Sequence, residues 1–161
     1  MDDDMRFGLS KKEVSELLRS RGINPTSQRI EIATLLLQRP QHLSAEEIFQ
    51  ELNQECCLVS QATVYNTLRL LVDRGVISEL LFSPDRIYYD SNAAPHHHFL
   101  DLDTGMIMDL APACAGPLNL CGLDIQVEGV SILIKGRQKK EPEAMPGPER
   151  PVLTGHAHFA G

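Results

Sequence analysis

A chain of 161 residues, 42% hydrophobic and 23% charged, has room for one medium domain or two small ones, each with a real core. No apolar run reaches the ~18 residues needed to span a bilayer, and the acidic start Met1-Asp2-Asp3-Asp4 lacks the basic opening of a secretory signal, so a soluble cytoplasmic protein without a membrane partner is expected. The formal charge of −7 is spread over both halves, which excludes a broadly basic nucleic-acid binder; any phosphate contact must come from a few cations gathered on one face.

Along the chain, Ser10-Lys11-Lys12-Glu13 is a capping box followed by Val14, Leu17 and Leu18 at helical spacing, and Gly22 stops that helix. Asn24-Pro25-Thr26 turns into a second helix with Ile30, Ala33, Leu36 and Leu37 on one face, ended by Pro40. Ser44-Ala45-Glu46-Glu47 opens a third, with Ile48, Phe49 and Leu52 inward. Ser60 caps a fourth, carrying Val64, Leu68, Leu71 and Val72, with Gly75 just past its end. The compact loop between the third and fourth helices suits a helix-turn-helix.

After Gly75 the period changes to two. Val76–Phe82 and Arg86–Tyr89 read as strands joined at Ser83-Pro84-Asp85, and helices followed by a hairpin make a winged helix-turn-helix. The fourth helix has the matching outer face. With its apolar residues inward, Gln61, Thr63, Tyr65, Asn66 and Arg69 face out, and no acidic residue occurs before Asp73. Asn, Gln and Arg read base edges, while Thr and Tyr bond phosphates.

Residues 91–98 read as a linker that includes the histidine run. Phe99–Leu102 and Met106–Leu110 are strands around Asp103-Thr104-Gly105, and residues 124–135 alternate as a third strand, with Gly129 as a bulge. A three-stranded unit of this size cannot bury itself, so pairing with a second copy is expected. Four prolines among charges mark residues 138–161 as a disordered tail, in which His156 and His158 are incidental. Cys56-Cys57 and Cys114…Cys121 lack Cys-x-x-Cys spacing, and four free thiols are expected.

Asp90, His96, His97, His98 and Asp109 lie within a short stretch and offer imidazole nitrogen with carboxylate oxygen, a donor set that suits Fe(II), Mn(II) or Zn(II). A solvated surface run of histidines fits the same local pattern. The DNA-binding character of the upstream segment favours the metal.

Several motifs occur together in a familiar order. Thr26-Ser27-Gln28-Arg29, Pro40-Gln41-His42-Leu43-Ser44-Ala45-Glu46, Ala62-Thr63-Val64-Tyr65 and the His run followed by Asp-Thr-Gly and Asp109 resemble the ferric uptake regulator family of metal-dependent repressors, over about residues 8–136. Tyr65-Asn66 with Leu68-Arg69 looks most like its peroxide-sensing members.

The resemblance implies an α+β chain, with an N-terminal winged helix-turn-helix domain over 1–90, a hinge over 91–95 and a small α/β dimerisation domain over 96–137. It implies a homodimer on an inverted-repeat operator in double-stranded DNA, with Arg29, Gln61, Thr63, Tyr65, Asn66 and Arg69 toward the DNA. It also implies a regulatory Fe(II) or Mn(II), replaceable by Zn(II) in isolated protein, held by His42, Asp90, His96, His98 and Asp109. His97 falls where relatives carry Asp or Tyr and is left out of the ligand set. Asp109 is aspartate, as in the peroxide sensors, whose response is oxidation of ligand histidines; by carry-over these are His42 and His96.

The sequence also departs from the family pattern. Asp101 and Thr104 stand at one Cys-x-x-Cys pair of the family's structural zinc site, and no cysteine follows Cys121, so no structural zinc is expected. Val130 stands where some iron regulators carry a further ligand histidine. A histidine run without those cysteines also resembles haem-responsive iron response regulators, since exposed imidazoles can serve as haem axial ligands, and an iron- or haem-responsive regulator of the same family is the alternative. An iron oxygenase needs an open coordination position and a substrate pocket; five candidate ligands leave little room and no obvious sequence lines a pocket, so no enzyme is expected.

Overall fold

The computed structural model describes residues 7–83, 86–114, 116, 126 and 130–138. Helix α1 (Lys11–Ser20) starts where the Ser10 hydroxyl accepts the Glu13 N–H and the Glu13 carboxylate accepts the Ser10 N–H, and Gly22 follows its end at φ +71°. Helix α2 (Ser27–Leu36) is capped by Thr26, and α3 (Ala45–Leu52) opens on a second reciprocal box between Ser44 and Glu47. Helix α4 (Gln61–Asp73) is capped by Ser60, and Gly75 (φ +61°) turns the chain away after it. All four starts coincide with the residues expected from sequence, because an N-cap is a contact over three residues and needs no tertiary partner.

Val14, Leu18, Ile32, Ala33, Leu36, Ile48, Val64, Leu68 and Leu71 form the centre of one core and are essentially inaccessible to solvent. Helix α2 is more buried than one stripe allows: Ile32 and Leu35 are buried beside Ala33, Leu36 and Leu37, because α1, α3 and α4 all pack on it. Two guanidiniums close the far end of this bundle. Arg21 donates to the Arg74 and Gly75 carbonyls, and Arg74 donates back to the Arg21 carbonyl.

The wing is a three-stranded antiparallel sheet in the order β1 (His42–Ser44), β3 (Arg86–Asp90), β2 (Ser78–Ser83), with an irregular register between Leu81 and Ser83. The hairpin strands match the sequence reading; residues 84 and 85 of their turn lie outside the described residues. Strand β1 does not match it, since three residues are too few to show alternation.

A second sheet has the order β5 (Ile107–Leu110), β4 (His97–Asp101), β6 (Leu133–Gly136). Strand β5 is antiparallel to β4, and β6 runs parallel to it. The expected linker over 91–98 is corrected here: His97 and His98 are already strand, hydrogen-bonded against Leu110, Asp109 and Leu133 in register. The expected strand over 124–135 appears as Leu133–Gly136, shifted toward its end; residues 124, 125 and 127–129 lie outside the described residues. So do Cys121 and the tail from 139 onward, with His156 and His158. Pro112–Cys114 forms a single 3-10 turn. Among the described residues no helix is long and apolar enough to cross a membrane.

Candidate metal centre

The two sheets meet at one polar cluster. In the wing, β1 pairs with β3 so that His42 stands opposite Asp90. In the second sheet, His98 stands opposite Asp109, and His96 lies just ahead of β4. Side-chain alternation along β4 sends His98 into the cluster and His97 away from it. The His97 ring is buried on the other side, where its Nδ1 accepts the Ile132 N–H at 3.4 Å.

Nε2 of His42 lies 2.9 Å from Asp109 Oδ1 and 3.7 Å from Asp90 Oδ2. Nε2 of His96 lies 3.0 Å from Asp90 Oδ2 and 3.4 Å from Asp109 Oδ1, and His98 Nε2 lies 3.2 Å from Asp90 Oδ2. One donor atom from each of His42, Asp90, His96, His98 and Asp109 falls within 4.8 Å of all the others. Ligands on opposite sides of one first-row ion stand about 4.2 Å apart, given bonds of about 2.1 Å, so a small contraction suffices. Asp90 is wholly buried, the three ligand-set imidazoles nearly so, and only Asp109, with its side chain 28% exposed, faces a way in.

The hydrogen bonding agrees with a cation at the centre. His96 Nδ1 is 2.7 Å from the Ala94 carbonyl, which holds the ring proton on that nitrogen and turns the Nε2 lone pair toward the two carboxylates. A lone pair facing carboxylate oxygen is unfavourable unless a proton or a metal sits between. The buried Nε2 atoms of His42 and His96 make no well-aligned hydrogen bond despite their close carboxylates. The residues present therefore fit a divalent metal bound by imidazole and carboxylate.

Without metal, the same crowding acts on protons. Burial alone would lower the His42 pKa, but Asp109 and Asp90 outweigh it and raise it from 6.5 to about 9. Burial pushes both carboxyls up, yet His42, with His98 and the Asn92 N–H, holds Asp90 well below the usual carboxylate range, and His42 holds Asp109 below it. A raised imidazole pKa stabilises the metal-free fold in full below the ordinary value of 6.5 and ceases to do so as pH rises through about 9. Thermal melts in chelator are thus expected to fall in midpoint between pH ~7 and ~10, and His42→Gln is expected to flatten that fall. A wild-type midpoint as flat as the variant's counts against the proton-bound cluster.

The sequence reading missed the residues that steady this cluster. The Asn92 backbone N–H donates to Asp90 Oδ1 (2.7 Å), and its side-chain amide reaches Asp109 Oδ2 (3.3 Å), so one residue braces both carboxylates. Ser91, fully buried, donates to the Arg39 and Gln41 carbonyls and accepts the Gln41 N–H, while the Gln41 amide donates to the Leu35 and Leu36 carbonyls at the end of α2. An Asp-Ser-Asn run is a turn signal in sequence, and that was the only visible hint.

Other expected residues divide. Gln61, Tyr65, Asn66 and Arg69 are exposed along α4, as a base-reading face requires. Thr63 is half-buried, its hydroxyl 2.9 Å from Ser60 Oγ at the cap. Arg29 is half-buried and donates to the Asn24 carbonyl at 2.9 Å. The histidine run that motivated the haem alternative is buried, His96, His97 and His98 being 9%, 8% and 2% exposed. At the Asp101–Thr104 turn, Asp101 accepts the Asp103 N–H (3.0 Å) and the Thr104 hydroxyl (2.8 Å), a hydrogen-bonded closure built from side chains that are not cysteine.

Comparison with known proteins adds the family. The model of the ferric uptake regulator family matches residues 20–114. The peroxide-responsive repressor PerR of Staphylococcus aureus (strain Mu50) is 36% identical over 92 residues, covering 57% of this chain and 62% of that protein. The chain thus spans less than two thirds of the length of the curated relatives it matches. Among solved structures, the ferric uptake regulator from Pseudomonas aeruginosa with manganese superposes with a TM-score of 0.60 at 21% identity, over 78% of this chain and 98% of that one. The Vibrio cholerae ferric uptake regulator does so at 0.59 and 23% identity, over 77% and 98%. These two likenesses concern the fold, which is the expected α+β architecture of helices and two small sheets. With the family model covering more than half of its length, the chain belongs to the ferric uptake regulator family.

Proposed function

We propose that this protein is a metal-dependent transcriptional repressor that binds an inverted-repeat DNA operator as a homodimer and senses peroxide through its metal centre. The observation that carries this reading is the convergence of five donor side chains, four from two separate sheets and the fifth, His96, from just ahead of β4. His42 and Asp90 belong to the wing, which packs on α3 and through it on α4, while His98 and Asp109 belong to the second sheet and His96 stands just ahead of β4. Tying those sheets through one centre fixes the direction in which α4 points. In a dimer it also fixes the distance between two α4 helices, which must match half-sites about one DNA turn apart.

The second sheet supports dimerisation, because Leu102 and Met106 are 52% and 60% exposed and Ile134 is 40% exposed on a unit too small to form its own core. On α4, Asn66 and Arg69 are assigned to base edges and Tyr65 to the phosphate backbone. The donor set fits Fe(II) or Mn(II), with Zn(II) able to occupy it. Bound Fe(II) supplies the redox chemistry by which peroxide adds oxygen to an imidazole, and His42 and His96 are the proposed sites. Both are held with Nε2 inward, so loss of either removes a donor from the centre that joins the two sheets and weakens its hold on the metal. The description of the S. aureus relatives as peroxide-responsive repressors supports this choice of signal.

A DNA mobility-shift assay with no metal, with Mn(II), and with Fe(II) before and after peroxide tests the reading. Binding is expected with either metal, and peroxide is expected to abolish it for the Fe(II) form alone, with one oxygen added to the peptides holding His42 or His96. Asn66→Ala or Arg69→Ala is expected to cost about 1–3 kcal/mol of DNA affinity with metal binding unchanged. Unmodified histidine peptides after peroxide treatment of the Fe(II) form would exclude the peroxide signal.

A further inference from the structure

The loop between α3 and α4 carries two adjacent cysteines, Cys56 and Cys57, both exposed and both free thiols. Its base is scaffolded. The Asn53 side chain donates to the Phe49 (2.9 Å) and Val59 (3.1 Å) carbonyls and accepts the Val59 N–H (3.1 Å). Gln28 on α2 donates to the Leu58 carbonyl (3.1 Å), and the Leu58 N–H donates to the Cys56 carbonyl (2.9 Å). The thiols therefore stand on a held turn, and the chain from Cys57 to Ser60, the N-cap of α4, spans at most about 10 Å.

Two ordinary fates of a cysteine pair are disfavoured here. Consecutive Cα atoms are about 3.8 Å apart, below the usual span of a disulfide, about 4.4–6.8 Å. A direct S–S bond across one peptide is therefore strained, whereas an atom inserted between the sulfurs relieves the ring. A soft divalent cation prefers about four ligands. Among the described residues, however, the one group of three or more His, Cys, Asp and Glu donors placed to hold a metal is the His42–Asp109 centre, so none of those residues completes a four-ligand site on these thiols. A trivalent arsenical is satisfied by two thiolates and one substituent of its own.

We propose that Cys56 and Cys57 form a chelating site for trivalent arsenicals, and that the adduct obstructs DNA at the start of α4. The second half rests on the DNA-binding reading above; the first does not. With an organoarsenic oxide, two S–H bonds and the arsenic–oxygen bonds break, two As–S bonds form, and the protons leave with the oxygen as one water. Arsenic stays trivalent, so neither oxidant nor reductant is needed.

The test is titration of the reduced, Mn(II)-loaded full chain with phenylarsine oxide, read by intact mass and by thiol count. One adduct per chain with loss of two thiols is expected. Cys56→Ser and Cys57→Ser should each weaken it about 100-fold, the advantage of a second thiol already in place, and Cys114→Ser and Cys121→Ser should leave it unchanged. Equal adduct formation in Cys56→Ser, or an adduct that maps to Cys114 and Cys121, overturns the site. For the second half, a duplex selected from a random pool by the Mn(II) form is the probe. The adduct should weaken binding to it, and a Cys56→Ser/Cys57→Ser chain treated alike should not respond. Undiminished binding by the adduct overturns the obstruction. A Mn(II) form that selects no duplex overturns the DNA reading and the obstruction with it, while the mass and thiol data still decide the arsenical site.

Discussion

Asp90→Asn is expected to lower Mn(II) affinity by at least about 100-fold, and metal-dependent DNA binding is expected to fall to the metal-free level. Asp90 is the one group in the cluster that is fully buried and within 3.7 Å of all three imidazoles. Its charge would offset that of a metal in a site largely closed to solvent. The amide is nearly the same shape and keeps an oxygen for the Asn92 N–H, so the fold should survive while the charge is lost. Asp109→Asn removes an equal charge, but Asp109 is 28% exposed and solvent replaces part of what is lost, so its deficit should be smaller. Competition with a chromophoric chelator measures both variants. An Asp90→Asn protein that binds Mn(II) as tightly as wild type removes Asp90 from the site.

Leu68→Ala is expected to cost about 3 kcal/mol of stability, within the range for truncating a leucine that leaves a cavity. Leu68 is wholly buried on α4, in the core where α2 and α3 also meet. Against a total of about 5–15 kcal/mol for a whole domain, that loss is large. Urea unfolding with metal absent isolates the packing effect from metal linkage. Because Asn66 and Arg69 face the other way on the same helix, DNA affinity per folded molecule should change far less than stability. A loss below about 1 kcal/mol would show that α4 is held by something other than this core.

How much of the site was visible in the chain differs by residue. His96, His98 and Asp109 sit close in sequence and offer donor types that declare themselves, and the alternation of β4 then separates His97 from its neighbours. Asp90 joins them as a carboxylate just upstream, whereas His42 was assigned through the family resemblance, since nothing near it marks it as a ligand: it follows Pro40-Gln41 and precedes a capping serine. Its place depends on β1, three residues long, pairing in register with the end of β3. Asn92 and Ser91 were missed altogether, because a polar residue in a turn looks the same whether it braces a carboxylate or faces water.

The sequence by itself determined the four helices and their starts, with the buried stripe of α1 and much of that of α4, because capping and helical spacing are contacts within a turn or two of chain and are written in consecutive residues. It also determined the donor types available and the absence of acid on the outer face of α4. Tertiary structure decided what could not be local. It set the parallel partner of β4, the burial of α2 from several sides and the register that puts His42 across from Asp90. It also brought the two sheets together, so that five donors from distant segments share one buried point. Such long-range pairings rest on the burial of the whole core, and no short stretch of residues encodes them.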